Sequence, residues 1–469
     1  MTDAPEGTGE QDRSRGGARG GPSAAGPGSA VGDPQELNEG AGAGPGGPEI
    51  PPSPWTVPEF RKLLPIGFVV AIGFSLVIPV LPAFARSFGV GLALVGLVQL
   101  VFGFNRFSFG IVGGLVVDRF GERFATVTGI LIVAASSYAS GLAQTFWQLV
   151  VARGIGGAGS ALFIGGLMNR IIKIIPPRAM GRATGIWRSS FLIGAGIGPL
   201  VGGLLRDQLG NRAPFHIYAT GLLLAATIAW FAMNEKLERK EAQKRSPLQS
   251  LRAARPLFKD IRYSVALLAT LVGWWTLSGP AQQIGTIFAD EQLGFSGTKI
   301  GIAFTLLSAA EIFVVLVIAG PAADRYGRRA VLVPSLVITF LATLALGQVD
   351  PVPNLFFPLM VLIGAGVAAG SAAAGGLLAD SIPEGGSGTA VGVNQMAGDL
   401  GYMLAPSALG AVADARGYGP AYVVAAIPAA VALVFSLRLP KETPAGATAP
   451  GPASPHALHP TPEPTEPVA

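Results

Sequence analysis

The chain contains no cysteine and only three histidines among 469 residues. The first absence excludes disulfides, thiolate chemistry and cysteine metal sites. Two of the histidines, His456 and His459, lie in the C-terminal tail, which leaves His216 alone for any ring chemistry. Neither a metal site nor a cofactor is expected. Charge is scarce too: 13% of residues are charged, against about a quarter in a soluble globular chain. There is no Gly-x-x-x-x-Gly-Lys-(Ser/Thr) loop to cradle nucleotide phosphates, so any energy input has to come from an ion gradient. No catalytic constellation is present, and the chain does not read as an enzyme. Apolar residues are abundant: half the sequence is hydrophobic and the mean hydropathy is +0.51, as for a chain held largely in lipid. The net charge of +5 comes from bases scattered through short loops between apolar runs, which argues against nucleic acid as a partner.

Residues 1–58 are rich in Gly, Pro, Ser and Glu, and 440–469 in Pro, Ala and Thr. Neither tail can bury enough apolar surface to offset its ordering entropy, so both are expected to be disordered. No apolar core follows the early arginines, so the N-terminal segment is not a signal peptide. Between the tails lie twelve apolar runs near the roughly 20 residues needed to cross a bilayer. They fall at about 63–84, 91–117, 125–143, 147–173, 183–205, 214–233, 262–288, 299–322, 330–348, 355–379, 388–412 and 420–438. The runs are too long for a β-barrel and lack its period-two alternation. The expected fold is an all-α membrane protein: a six-helix half over 59–233, a linker over 234–261, and a second half over 262–439. The linker carries Lys236, Arg239, Lys240, Lys244, Arg245, Arg252, Arg255 and Lys259, which marks it as cytoplasmic. An even number of spans then places both termini inside.

The chain repeats itself. Gly114-Leu115-Val116-Val117-Asp118-Arg119-Phe120-Gly121-Glu122-Arg123 returns 206 positions on as Gly320-Pro321-Ala322-Ala323-Asp324-Arg325-Tyr326-Gly327-Arg328-Arg329. At nearly the same shift Gly157 and Gly159 fall on Gly364 and Gly366, Pro199 on Pro406, and Gly203 on Gly410. Two similar halves in a membrane chain are a transporter signature, because they can rock about a site held between them.

These two loops resemble the Gly-x-x-x-Asp-Arg-x-Gly-(Arg/Lys)-(Arg/Lys) motif of the major facilitator superfamily. The first copy departs at Glu122, where the family usually has a base. Arg153-x-x-x-Gly157-x-Gly159 resembles the superfamily's Arg-x-x-x-Gly-x-Gly motif, whose arginine is implicated in proton transfer. It lies about 10 Å inside its span, counted from Phe146, where a charge is costly unless it faces a cavity or a partner. Gly185, then Gly194-x-x-x-Gly198-Pro199-x-x-Gly202-Gly203, resembles the antiporter motif at every fixed position, a mark of exporters within the superfamily. Glycines at this spacing give a smooth face for close helix contact, and the proline frees a carbonyl and bends the helix. Pro79-Val80-Leu81-Pro82 also resembles the twelve-span drug exporters, but no carboxylate occurs between Arg61 and Arg86. Any coupling acid lies elsewhere.

Two acids sit deep in the second half, Glu311 and Asp399. Burying either in ionised form costs on the order of 3 kcal/mol, so each should be protonated, paired or facing water. Glu311 is expected to carry the proton, with Asp399 and Arg153 as further coupling residues. Arg106 and Asp399 lie at similar depth, some 17 Å in, on helices that face each other in the superfamily. They are expected to form an ion pair. At the 206-residue shift Asn105 is the counterpart of Glu311. With Trp274, Trp275, Gln282 and Gln283 it could line a cavity for an amphipathic substrate. The resemblance implies a drug:proton or metabolite:proton antiporter working by alternating access, expected to be monomeric; the Ala/Gly/Arg-rich composition points to a bacterium and hence its plasma membrane. Two alternatives stand beside it: a proton-coupled nutrient importer, and a non-transporting sensor on the same fold.

Overall fold

The computed structural model describes residues 53–176, 179–233, 255–382 and 387–440. The tails, and linker positions such as Lys236 and Arg252, lie outside the described residues, apart from the last few before the first helix. Residues Pro51–Ala469 form one compact unit. Twelve long helices account for nearly all the described chain. In lipid every backbone N–H and C=O must be satisfied within the segment, which leaves a long apolar run little choice but helix. They are α1 (Pro58–Val77), α2 (Leu92–Phe120), α3 (Glu122–Leu142), α4 (Phe146–Ile174), α5 (Met180–Leu209) and α6 (Ala213–Ala232). The second half has α7 (Ile261–Glu291) and α8 (Gly297–Tyr326), then α9 (Arg328–Leu346), α10 (Phe356–Ser381), α11 (Ser387–Arg416) and α12 (Tyr418–Ser436). Eleven are long and apolar enough to cross a membrane. The remaining one, α11, is thirty residues long but diluted by Asn394, Gln395, Asp399 and Asp414.

The charged loops are tight for a local reason. Gly121 (φ 88°) and Gly327 (φ 89°) end α2 and α8 in a left-handed conformation that a side chain would strain. Each also starts the next helix at once. The first apolar run departs from expectation. It is not one helix over 63–84 but α1 followed, after a turn, by a short helix Leu81–Arg86. Pro79 and Pro82 lack the N–H that a continuous helix needs there.

Within the first half α1 packs on α5 and α6, and α4 lies between α2 and α3. The second half repeats this, with α7 on α11 and α12, and α10 between α8 and α9. The halves meet through α2 against α11 and α5 against α8. Matching contacts tie the repeats together. Ser75 Oγ donates to the Gly194 carbonyl (3.3 Å) as Ser278 Oγ donates to that of Gly401 (3.4 Å). A side chain on Gly157 would strike the Phe102 carbonyl, and one on Gly364 the Leu307 carbonyl. The ring contact of Phe84 with Phe215 is matched by that of Phe288 with Tyr422.

Along two helices of the second half the repeat shift changes by one residue. From α1 to α7 it is 203 at Ser75 and Ser278 but 204 at Phe84 and Phe288. From α2 to α8 it is 205 at Phe102 and Leu307 but 206 at Asp118 and Asp324. Between each pair of markers the helix is wound as a π-helix, over Leu277–Ile284 and Val314–Ala319. Bonding i to i+5 absorbs an extra residue without breaking the helix, and such turns gather at functional sites. The first one contains Pro280, whose missing N–H already interrupts the α pattern.

Candidate functional site: the cleft between the halves

The seam between the halves is closed at one end and parted at the other. At the end remote from the linker, a carbon placed on Gly96 of α2 would sit 2.4 Å from the Ser407 nitrogen of α11. One on Gly203 of α5 would sit 2.1 Å from the Gly297 carbonyl of α8. Midway the approach loosens, to 3.3 Å between Gly103 and Met403 and 3.6 Å between Gly196 and Ile312. Seven or eleven residues further toward the linker, on the same helix faces, Gly110, Gly114, Gly185 and Gly392 have nothing within 4 Å. The halves therefore diverge into a cleft that opens at the linker end.

Glu311 lies at the edge of this divergence, next to Ile312, which meets Gly196 of α5. It is partly buried, and no hydrogen bond or ion pair reaches it among the described residues. It is also the only charged residue between Lys299 and Asp324, and the second π turn follows three residues later. Across the cleft floor Gln99 approaches Gln282 at 3.5 Å, and Trp274 meets Tyr402 edge-on with ring centroids 5.9 Å apart. Trp274 is 42% exposed. Asn105 sits on α2 beside Gly154 of α4.

Two of the expected cavity residues point elsewhere. The Trp275 indole donates to the Ala425 carbonyl of α12 (3.2 Å) and belongs to the interior of the second half. Gln283, 1% exposed, donates at 3.0 Å to the carbonyls of both Leu92 and Pro406, so it ties α2 to α11 at the closed end. The expected ion pair is likewise not made. Asp399 accepts a hydrogen bond from Gln395 (3.2 Å) on its own helix, and no Arg106 nitrogen lies within 4 Å of it among the described residues. Equal depth does hold: Arg106 is three residues beyond Gly103, and Asp399 four before Met403, its contact.

Arg153 is 4% exposed, its guanidinium 4.9 Å from the Phe102 ring centroid and its Nε without a hydrogen-bond partner. The glycines after it are packing surfaces, Gly157 against α2 and Gly159 against Gly129 and Ile132 of α3. In the α5 motif Gly194, Gly198 and Gly202 lie against α1, while Pro199 and Gly203 touch α8 in the other half. One glycine–proline segment thus serves both a contact within its half and a contact across the seam.

At the charged loops Asp118 is exposed and Arg119 lies 5.4 Å from the Phe120 ring centroid. Arg325 lies 5.3 Å from that of Tyr326. Asp324 pairs with Arg328 (2.9 Å), which also approaches Asp380 at 3.6 Å, and Arg329 donates to the Leu439 carbonyl. Arg123 lies 4.0 Å over the Trp230 ring. The departure at Glu122 has a use: the carboxylate is largely buried and pairs with Lys173 of α4, holding the first loop to its own half.

Sequence reasoning missed Gln99, Tyr402 and two carboxylates at the closed end, Asp207 and Asp414. The last two were findable, because they end the spans that carry Pro199 and Pro406 and stand at the repeat spacing.

Two pseudo-equivalent six-helix halves around a cleft open at one end define a membrane transporter architecture, multi-pass and embedded in the bilayer. Profiles of the Major Facilitator Superfamily match residues 63–289 and 275–466, and the chain belongs to that superfamily, one of transporters rather than enzymes. It is 27% identical to Multidrug resistance protein 1 of Bacillus subtilis (strain 168) over 51% of this chain and 60% of that protein, so this match spans less than two thirds of its relative. It is 27% identical to Multidrug resistance protein MdtG of Escherichia coli O9:H4 (strain HS), over 76% and 88% of the two chains. Tetracycline resistance protein, class H, of Pasteurella multocida is 26% identical over 73% and 86%. Among solved structures, a bacterial homolog to the human lysosomal transporter Spinster, in an inward-facing and occupied conformation, superposes with a TM-score of 0.71. Identity to it is 17%, over 82% of this chain and 97% of that one. The nucleoside transporter NupG gives 0.69 at 15% identity, over 82% and 100%.

Proposed function

We propose that the protein is a proton-coupled exporter of small amphipathic molecules, with drugs among its substrates. It would reside in the plasma membrane of a bacterium, with the linker and both termini in the cytoplasm. The observation that carries this reading is Glu311: an acid without a partner, beside the seam along which the halves part. A carboxyl at that place with no fixed counter-ion among the described residues suits a group that loads a proton on one side and releases it on the other. The excess of bases in the linker and in the loops at that end supports the orientation. On that orientation the cleft described here opens to the cytoplasm. Substrate enters it as Glu311 gives up its proton; the halves then rock, substrate leaves outward, and a new proton reloads the acid. The names of the drug-resistance relatives and the antiporter-like segment of α5 support export over uptake. Asp399 and Arg153 are assigned supporting roles in coupling. One chain supplies the whole cleft, so the working unit is a monomer.

The test is accumulation of a panel of amphipathic drugs in cells with and without the protein. Lower accumulation that a protonophore abolishes is the expected result. Equal accumulation across the panel, or lower accumulation indifferent to the protonophore, would refute proton-coupled export.

A further inference from the structure

The closed end of the cleft is held by two carboxylates placed as a twofold pair. Asp207, in the last turn of α5, accepts hydrogen bonds from the Gly297 and Thr298 backbone N–H groups that open α8, both at 2.8 Å, and from Thr298 Oγ1 at 2.6 Å. Asp414, in the last turns of α11, accepts from the Leu92 and Ala93 N–H groups that open α2, at 2.8 and 2.9 Å. Each carboxylate therefore caps a helix of the opposite half. Asp207 and Asp414 are 207 residues apart and the capped N-termini 205 apart, so the arrangement is one contact written twice.

A helix N-terminus leaves its first N–H groups unpaired and carries positive dipole, and an anionic acceptor across the seam satisfies both. When the halves part at this end those N–H groups lose their acceptors together. The ion pairs at this end are weaker candidates for control. Arg86 with Glu291 (2.8 Å) is a solvent-exposed pair of the kind that contributes little. Arg206 with Asp290 (2.8 Å) is partly exposed and has no counterpart in the other seam. Gly203 against Gly297, and Gly410 against Leu92, bring the backbones close enough for carboxylates as short as aspartate to reach.

We propose that Asp207 and Asp414 are paired latches of the outer gate, positioning residues that set how often the cleft opens at its closed end. This rests on the alternating-access reading of the molecule and is independent of which substrate is carried or in which direction.

The cysteine-free chain makes the test direct. Ser407→Cys places the only thiol where α11 crosses Gly96 of α2, and the native Ser407 Oγ is buried there. Ser137→Cys places one in the fully buried interior of the first half. The readout is the rate of maleimide labelling of purified protein. Asp207→Ala and Asp414→Ala should each raise labelling at position 407 about five-fold, the scale of losing a capping side chain, and together by about the product. Labelling at 137 should not change. Wild-type rates at 407, an increase from only one of the two variants, or a parallel rise at 137 would each overturn the proposal. If Asp207→Ala does not fold, Asp207→Asn keeps one accepting oxygen, and a rise of about two-fold is expected in its place. Failure of the drug-export reading would leave these rates untouched, so the two can fail separately.

Discussion

Glu311 on α8 occupies the position that Arg106 occupies on α2. Each lies ten residues past a glycine, Gly301 or Gly96, against which the other half's backbone packs. The 206-residue loop spacing had paired Glu311 with Asn105. The π turn at Val314–Ala319 lies between Glu311 and the loop, so the true spacing at this depth is 205. Equivalent places in the two halves thus hold a permanent cation and a titratable acid, which makes the two sides of the cleft chemically unequal.

On the proposed export cycle, that inequality puts the proton on the Glu311 side. Glu311→Gln keeps size and polarity while fixing the protonated form, and nothing in the fold depends on the lost charge. The variant is expected to melt within about 0.5 kcal/mol of wild type, as a substitution without partners does. It should bind substrate and exchange it passively, yet fail to concentrate it against a gradient. Proteoliposome transport with and without an imposed pH gradient checks this; gradient-driven accumulation by the variant would move the proton site elsewhere, with Asp399 next.

The α5 glycines divide into two classes of contact, and alanine should separate them. A carbon on Gly198 would lie 1.9 Å from Ser75 Oγ, inside the first half. Gly198→Ala should destabilise by about 1–3 kcal/mol, as overpacking does. A carbon on Gly203 would lie 2.1 Å from the Gly297 carbonyl, in the other half, where the strain is relieved by parting the seam. Gly203→Ala should melt near wild type while transport falls and the thiol at position 407 labels faster. Equal loss of stability in both variants would show that the seam does not move independently.

Glu122 offers a different contrast, because the superfamily motif expects a base there. Restoring it with Glu122→Arg would set a second cation against Lys173 in a largely buried site. Breaking such a pair costs about 3–5 kcal/mol when fully buried, and about 2–3 is expected here. A melting temperature at or above that of wild type would mean that the Lys173 contact contributes nothing.

The helices were legible because lipid leaves an apolar run of span length one backbone solution, and the loops because Gly121 and Gly327 must turn with positive φ. The α5 motif was legible as a contact face because glycines four residues apart share one side of a helix. Where Trp275 and Gln283 point was not legible. Each residue turns an α-helix by about 100°, so the adjacent Trp274 and Trp275 cannot both face the cleft, and Gln283 lies within a π turn whose extra residue shifts the expected register. The Gly279-Pro280 pair in mid-span was the available cue. The Arg106–Asp399 pair is not made in this state for another reason: sequence gives depth along a helix, and separation across a cleft depends on which end of the molecule is closed. Asp399, satisfied by Gln395 in this state, and Arg106 should accordingly show additive stability losses on alanine substitution, within about 0.5 kcal/mol. Double-mutant melting reads this directly, and coupling beyond 1 kcal/mol would restore the pair.

Arg153 is tested by its counterpart. Gly157 and Gly159 of α4 repeat as Gly364 and Gly366 of α10, with matching contacts on the flanking helices. The same shift carries Arg153 to Met360, which is fully buried. An apolar side chain of similar length therefore fills the equivalent packing position, and the fold does not require the charge. A buried guanidinium without a carboxylate is expensive to keep desolvated; its contact with the Phe102 ring is worth about 2 kcal/mol at most. Arg153→Met should consequently melt at or above the wild-type temperature. Transport should fall at least ten-fold if the charge serves coupling, with substrate binding retained. Calorimetry and proteoliposome flux on the same preparation separate the two effects. A variant that is destabilised by more than about 1 kcal/mol would make Arg153 a structural residue, and one that transports at the wild-type rate would remove it from the coupling machinery.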